Sequence, residues 1–229
     1  MAKIYQIGAG MIGQTMALDL AEGHDVFLGD INIDDVSDKI KNHPSIDLLK
    51  VDAQDIKQVS SFILDADIVL LAVPGHLGFK ILKTIIECGK NVVDISFSPE
   101  DIMDLNRNAI ENDVTVVFDA GVAPGIPNYI FGYHNTVEKI TSFKYFVGGL
   151  PKFPKGPFNY KAPFSPIDVI EEYTRPARMM INGKLITKPA LSDIEIINFN
   201  NEIELEAFNT DGLRSLLQTM PHVNNMSEK

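Results

Sequence analysis

One cysteine, Cys88, stands in a chain of 229 residues, so no disulfide can form within it. That usage fits a reducing compartment. Long apolar runs are missing too. Residues 68–73 form one of the longest, far short of the roughly 20 residues that span a bilayer. The N-terminus lacks the basic region, apolar core and small-residue cleavage site of a secretory signal, so a cytoplasmic location without membrane association is expected. Basic residues are scarce: 20 Lys and Arg face 31 Asp and Glu, a net charge of −11. Nucleic acid is thereby disfavoured as a partner, because phosphate binding needs a basic stripe. The acids make no run of five like charges and read as dispersed solvated surface. Hydrophobic residues at 45% and charged residues at 22% exclude disorder of the whole chain. The length admits one large domain or two small ones, with a core that needs no staples.

The first half alternates short apolar runs with helical patterns. Strands are expected over residues 3–7, 25–28, 45–51, 68–73, 91–94 and 114–118, all rich in Val and Ile. Helices are expected over 11–22, 55–64, 77–88 and 99–111, the last capped by Ser98 with Pro99 as its first residue. Such alternation means βαβ units and a doubly wound parallel sheet. Near Thr136 the character changes, which divides the chain into domains 1–136 and 137–229. Residues 137–148 read as a long strand. Pro151, Pro154, Pro157, Pro163 and Pro166 then mark an ordered loop or lid, since proline has no backbone donor and a fixed φ. Strands follow over 177–181, 184–187 and 194–199. The dipeptide Asn182-Gly183 is a two-residue hairpin signal, so this smaller domain carries an at least partly antiparallel sheet.

Residues Gly8, Ala9, Gly10, Met11, Ile12 and Gly13 form a G-x-G-x-x-G pattern directly after an apolar strand and at the start of an amphipathic helix. Gly8 permits the tight turn, Gly10 the approach of a pyrophosphate, and Gly13 close helix–strand packing. The helix N-terminus supplies free N–H groups and a positive dipole end. Asp30 lies 17 residues after Gly13, at the end of the second strand. A carboxylate there accepts from ribose hydroxyls and repels a 2′-phosphate, and Ile31 and Asn32 offer no arginine. The expected cofactor is NAD, with NADP disfavoured. Ala72, Val73 and Pro74 end the fourth strand and are expected to line the cofactor channel; a plain strand-ending turn is the alternative. None of His24, His43, His134 and His222 has a Cys or carboxylate at metal-ligand spacing, and no metal site is expected. Cys88 reads as a buried inert thiol.

Three later segments narrow the class. They are residues 89–96 with Pro99-Glu100-Asp101; Asp119-Ala120-Gly121-Val122-Ala123-Pro124-Gly125; and a long block holding Gly148-Gly149-Leu150-Pro151, residues 157–166, residues 171–178 and residues 207–214. Together they resemble the saccharopine dehydrogenase-like family, and within it the lysine 6-dehydrogenase branch, from Ile4 to Lys229. The resemblance implies a Rossmann-type doubly wound parallel sheet followed by a smaller α+β substrate domain with a mixed or antiparallel sheet. It implies an oxidoreductase that oxidises a carbon–nitrogen bond with NAD(P). In the lysine branch hydride leaves the carbon bearing the side-chain amine, and the imine hydrolyses to a semialdehyde. Saccharopine and carboxynorspermidine are the substrates of the alternative branches. Family analogy also suggests a homo-oligomer, a dimer or tetramer.

A lysine amine, with an ordinary pKa near 10.4, must lose its proton before hydride leaves, so a general base is needed. Its carboxylate needs a cation, best an arginine fork. The second half holds only Arg175, Arg178 and Arg214. Saccharopine carries three carboxylates, so the count leans towards lysine, with Arg175 and Arg214 as the substrate-binding candidates. Pairing with a neighbouring acid is the plain alternative for Arg214. Tyr160 and Lys161 sit amid prolines, where a rigid loop would present them; Lys161 is a base if burial lowers its pKa, and otherwise binds a carboxylate or lies on the surface. Asp211 binds the substrate amine or caps a helix starting near Gly212. Asp94 and Asp119 end strands and orient substrate or water, or cap. Members of the resembled family continue past the position matching Lys229, so the substrate domain is expected to be truncated at its C-terminus. A cofactor-binding module without turnover is therefore the second expectation.

Overall fold

The computed structural model describes residues 1–157, 160–200 and 203–229. The chain divides into two compact units, Met1–Gly121 and Val122–Lys229. The first runs β1 (Lys3–Ile7), α1 (Met11–Leu20), β2 (Asp25–Asp30), α2 (Asp38–Lys41), β3 (Ile46–Lys50), α3 (Ile56–Phe62), β4 (Ile68–Leu71), α4 (Gly75–Glu87), β5 (Val92–Asp94), α5 (Asn106–Glu111) and β6 (Val116–Val117). All strand pairs are parallel, in the order β3-β2-β1-β4-β5-β6. This is the doubly wound order whose ligand crevice lies beyond the carboxyl ends of β1 and β4. The central strands β1 and β4 are the most buried, being covered on both faces, whereas the edge strand β3 leaves Asp47, Leu49 and Lys50 exposed. Ile81, Leu82, Ile85 and Ile86 of α4 pack with Val59 of α3 and with Val69, Leu71 and Ile7 of the sheet. On the opposite face Ala17, Val36 and Ile40 meet Val26, Leu28 and Ile46.

The expected strands are present, some shorter at their ends. The expected helix over 99–111 begins later than the sequence suggests. Residues Ile102–Leu105 form a tight 3-10 turn before α5, and the cap is Asp101, whose carboxylate accepts from the Met103 N–H at 3.0 Å. Ser98 caps nothing. It is fully buried, its Oγ 3.3 Å from that of Ser96, and both hydroxyls press on Gly78, where a Cβ would lie 2.1 and 2.3 Å from them.

The second unit runs α6 (Ile126–Val137), β7 (Ser142–Tyr145), α7 (Pro166–Thr174), β8 (Ala177–Ile181), β9 (Lys184–Lys188), β10 (Glu195–Phe199), β11 (Ile203–Ala207), α8 (Leu216–Thr219) and β12 (Asn225–Glu228). Its four-stranded sheet, ordered β7-β12-β8-β9, is mixed: β12 runs parallel to β7 and antiparallel to β8. Strands β10 and β11 pair antiparallel by themselves. The β8–β9 turn has Asn182 at φ 50 and Gly183 at φ 73, the pair of positive φ values that a two-residue hairpin requires.

The division falls at Gly121 and Val122, earlier than residue 136, because α6 belongs with the second core. Phe131 stacks on Phe143 at 4.2 Å and packs with Met179, Leu213, Leu216, Val223 and Met226. The long strand expected over 137–148 shrinks to β7, since α6 takes its first residue. Pro166 opens α7 rather than prolonging the loop; its missing N–H belongs among the unpaired donors of a first turn. Among the described residues no helix is long and apolar enough to cross a membrane.

Truncation inside the first core has a predictable effect. Ile85 is wholly buried, so Ile85→Ala is expected to destabilise the chain by about 2–5 kcal/mol, whereas Leu64→Ala, 70% exposed, should change stability by no more than about 0.5 kcal/mol. Urea unfolding of the two variants checks this.

Candidate functional site

The glycine loop joins β1 to α1 at the carboxyl edge of the sheet. Gly8 sits at φ 106, and a Cβ there would fall 2.2 Å from the Ala72 carbonyl oxygen at the end of β4. No L side chain fits, so the turn closes directly on the neighbouring strand. Gly10 caps α1 and has nothing within 4 Å of its Cβ position, which leaves the loop open on its outer side. The first turn of α1 carries no acid to compete with an anion. Met11 and Ile12 flank this opening and are exposed.

Asp30 ends β2 and reaches the same loop. Its Oδ2 accepts from the Ala9 N–H at 2.6 Å and its Oδ1 from the Asn32 N–H at 2.8 Å. The loop is further braced by Gln14, whose amide donates to the Ala9 carbonyl and accepts from the Ser37 N–H. Gly8, Ala9, Gly10, Met11, Ile12, Gly13, Asp30, Ala72 and Val73 thus come together at one edge, and Pro74 is the cap of α4. Asp94 is fully enclosed; its Oδ1 accepts from the Ser96 N–H at 2.8 Å. Asp119 is buried with φ 51, two residues beyond β6. Asp94 therefore braces the end of β5 in this structure.

In the second unit Asp211 caps no helix, because α8 starts only at Leu216. It grips Arg178 instead. Nε and Nη2 of the guanidinium donate to its two oxygens at 2.9 and 2.8 Å, and the Arg178 N–H adds a third bond at 3.1 Å. Asp211 is 3% exposed and the Arg178 side chain 37%, so the acid of this two-point pair is shielded while its partner reaches solvent. Arg175 lies 3.3 Å from Glu171, one turn back on α7, with 12% of its side chain exposed. Arg214 is buried, with φ 38. Lys161 is exposed, so the burial on which its role as a base depends is missing in this structure. Tyr160 is half-buried beside Tyr173 and Glu172; burial first, then those two groups, raise its pKa. Phe158 and Asn159 of the resembled motif lie outside the described residues.

Two carboxylates here were not singled out by sequence reasoning. Glu228 is 4% exposed on β12; its Oε2 accepts from the Thr210 hydroxyl and from the Gly212 N–H at 2.8 Å. Burial nevertheless raises its pKa. A Cβ on Gly212 would sit 2.6 Å from that carboxyl, which explains the glycine. Glu172 faces Glu228 and Asp168. Burial first, then those two charges, push its pKa up to about 7 against the opposing pull of Arg175. The only available hint was Glu171-Glu172 itself: adjacent acids on a helix point to different sides, so one can turn inward.

The strand order, the glycine loop and Asp30 define a nucleotide-binding α/β unit. Comparison with known proteins agrees. Residues 4–117 match the family described as saccharopine dehydrogenase NADP binding domain, and residues 121–227 match saccharopine dehydrogenase C-terminal domain. The chain belongs to the saccharopine dehydrogenase-like family. It is 24% identical over 168 residues to the alpha-aminoadipic semialdehyde synthase of Arabidopsis thaliana, a match covering 70% of this chain and 16% of that protein. It is 23% identical over 198 residues to the NADP(+), L-glutamate-forming saccharopine dehydrogenase of Saccharomyces cerevisiae, covering 81% and 43%. The solved apo saccharopine dehydrogenase (L-Glu forming) of Saccharomyces cerevisiae superposes with a TM-score of 0.74 over 100% of this chain and 55% of that one, at 19% identity, and so shares its fold. The chain thus spans less than half the length of these curated relatives.

The Glu172 proton carries a prediction. Folding raises its pKa from 4.5 to about 7, so the folded state holds this proton more tightly than the unfolded one. The associated stability is present below about pH 4.5 and is lost as pH climbs through about 7. Glu172→Gln is therefore expected to match the wild type near pH 4 and to exceed it near pH 8, as read by urea unfolding at the two values.

Proposed function

We propose that the chain forms the dinucleotide-binding and substrate-binding parts of an NAD-dependent oxidoreductase acting on the carbon–nitrogen bond of an amino acid, with the lysine side-chain amine as the preferred donor. The observation that carries this reading is the Asp30 carboxylate seated against the Gly8–Gly13 loop. A loop closed this tightly, at a helix start without acids, suits a pyrophosphate. Asp30 suits the ribose hydroxyls and disfavours a 2′-phosphate, for which Ile31 and Asn32 supply no cation. The matched family description and the yeast relative both name NADP; the residues at the end of β2 are what favour NAD here.

When bound, the nicotinamide accepts a hydride from the carbon bearing the amine. The chain's own groups bind and deprotonate. Of three arginines in the second unit, Arg178 is committed to Asp211, so Arg175 and Arg214 are assigned to the substrate carboxylate. A site with few arginines suits a substrate with one carboxylate better than saccharopine with three. Glu172, with a pKa near 7 beside Tyr160, is suited to take the amine proton at neutral pH. Lys161 is assigned to the approach of the substrate's carboxylate from solvent. Asp94, at the end of β5, and Asp119, just beyond β6, are assigned to orienting substrate or water. Water then converts the imine to a semialdehyde and ammonia. A homo-oligomer belongs to the same proposal, by family analogy.

NADH absorbance should grow with lysine and NAD. Growth with saccharopine alone, or with carboxynorspermidine alone, would reassign the substrate. Stabilisation by NAD with no turnover on any amine would leave a binding module. Asp30→Asn keeps an acceptor for Ala9 but removes the charge, so the preference for NAD over NADP is expected to narrow about tenfold; a wild type that prefers NADP would overturn the reading of Asp30.

A further inference from the structure

Gln6 is the exception in β1. Ile4, Tyr5 and Ile7 beside it are apolar, whereas Gln6 is polar and wholly buried. Its Nε2 donates to the Gly8 carbonyl at 2.9 Å and to the Gly13 carbonyl at 2.7 Å. Both partners are carbonyl oxygens, which only accept, so the amide nitrogen must face them. The amide thus ties the first and third glycines of the loop together. It also accounts for Gly13, where a Cβ would stand 2.9 Å from this Nε2 and 2.2 Å from the Gly8 oxygen.

The tie has a direction. In a trans peptide the C=O and the following N–H point opposite ways. Gln6 holds the Gly8 C=O inward, so the Ala9 N–H points outward, to Asp30. One peptide plane is thus gripped from both sides. The grip comes at a cost, for Oε1 of Gln6 is buried with no hydrogen-bond partner among the described residues. An apolar side chain of similar length would avoid that cost but would also take the donor away from the Gly8 and Gly13 carbonyls.

We infer that Gln6 is a positioning residue for the dinucleotide, holding the glycine loop and Asp30 in the arrangement that receives the pyrophosphate and ribose. This rests on the loop being a dinucleotide site. The test is Gln6→Met, of similar length and without donors. Its NADH dissociation constant, read by fluorescence titration, should rise about tenfold. The melting temperature without cofactor should change little, since the orphaned oxygen and the two donated hydrogen bonds are lost together. A lowered melting temperature with unchanged NADH affinity would make Gln6 merely structural and overturn the inference. On the wild type itself, the Gln6 side-chain amide protons should exchange slowly and shift in NMR spectra when ADP-ribose is added; fast exchange without a shift would overturn it equally. No NADH binding by the wild type would overturn the dinucleotide reading and this inference together. Equal binding by wild type and variant would overturn the inference alone.

Discussion

The peptide plane between Gly8 and Ala9 is where the first unit's architecture and its chemistry meet. Its carbonyl faces the buried amide of Gln6 and its N–H faces Asp30, while Gly8 lies against the Ala72 carbonyl. Move that plane and three things move with it: the seam between β1 and β4, the first turn of α1, and the carboxylate at the end of β2. The parallel sheet brings these points together because β1 pairs with both β2 and β4. A parallel ladder ends all its strands at one edge, so groups far apart in the chain share a rim.

The second unit is organised differently. It keeps several carboxylates largely out of water and gives two of them close partners. Asp211 takes Arg178 by two points, and Glu228 is held by Thr210 and Gly212. Breaking such a pair leaves a buried charge exposed to a low-dielectric surrounding, which is more disruptive than the pair is stabilising. Glu172 is pushed furthest towards its neutral form, by burial first and then by the Glu228 and Asp168 carboxylates that face it. Its proton is therefore labile near neutrality.

The two halves were unequally legible in the sequence. The strands of the first unit declared themselves because burial on both faces forces unbroken apolar runs, and the glycine spacing located the loop. Gln6 escaped notice because its meaning lies in what it reaches, not in its strand. In the second unit α6 was missed because its pattern is inverted. Ile126, Tyr129, Ile130 and Tyr133 are exposed, and the core side carries only Phe131 with Asn128 and Asn135, which reach Ser215 and His222. Asp211 before a glycine looks like a cap, yet its partner lies on β8, far away in sequence. Nothing in Asn-Met-Ser-Glu announces a strand; β12 is made one by neighbours on either side.

That last strand gives the second unit a late clock. Strand β7 sits beside β12, Ser142 meeting Asn225, and β8 reaches β12 through Met180 and Met226. Until residues 225–228 have left the ribosome, the sheet has a gap where its central ladder belongs, and Phe131 and Met179 lack Met226. In the first unit the widest pairing is that of β1 with β4, Ile4 meeting Ile68, and the other strands pair with the next one made. Synthesis therefore delivers all six strands of the nucleotide-binding unit while the second sheet still waits for β12, and contacts so distant in sequence close slowly.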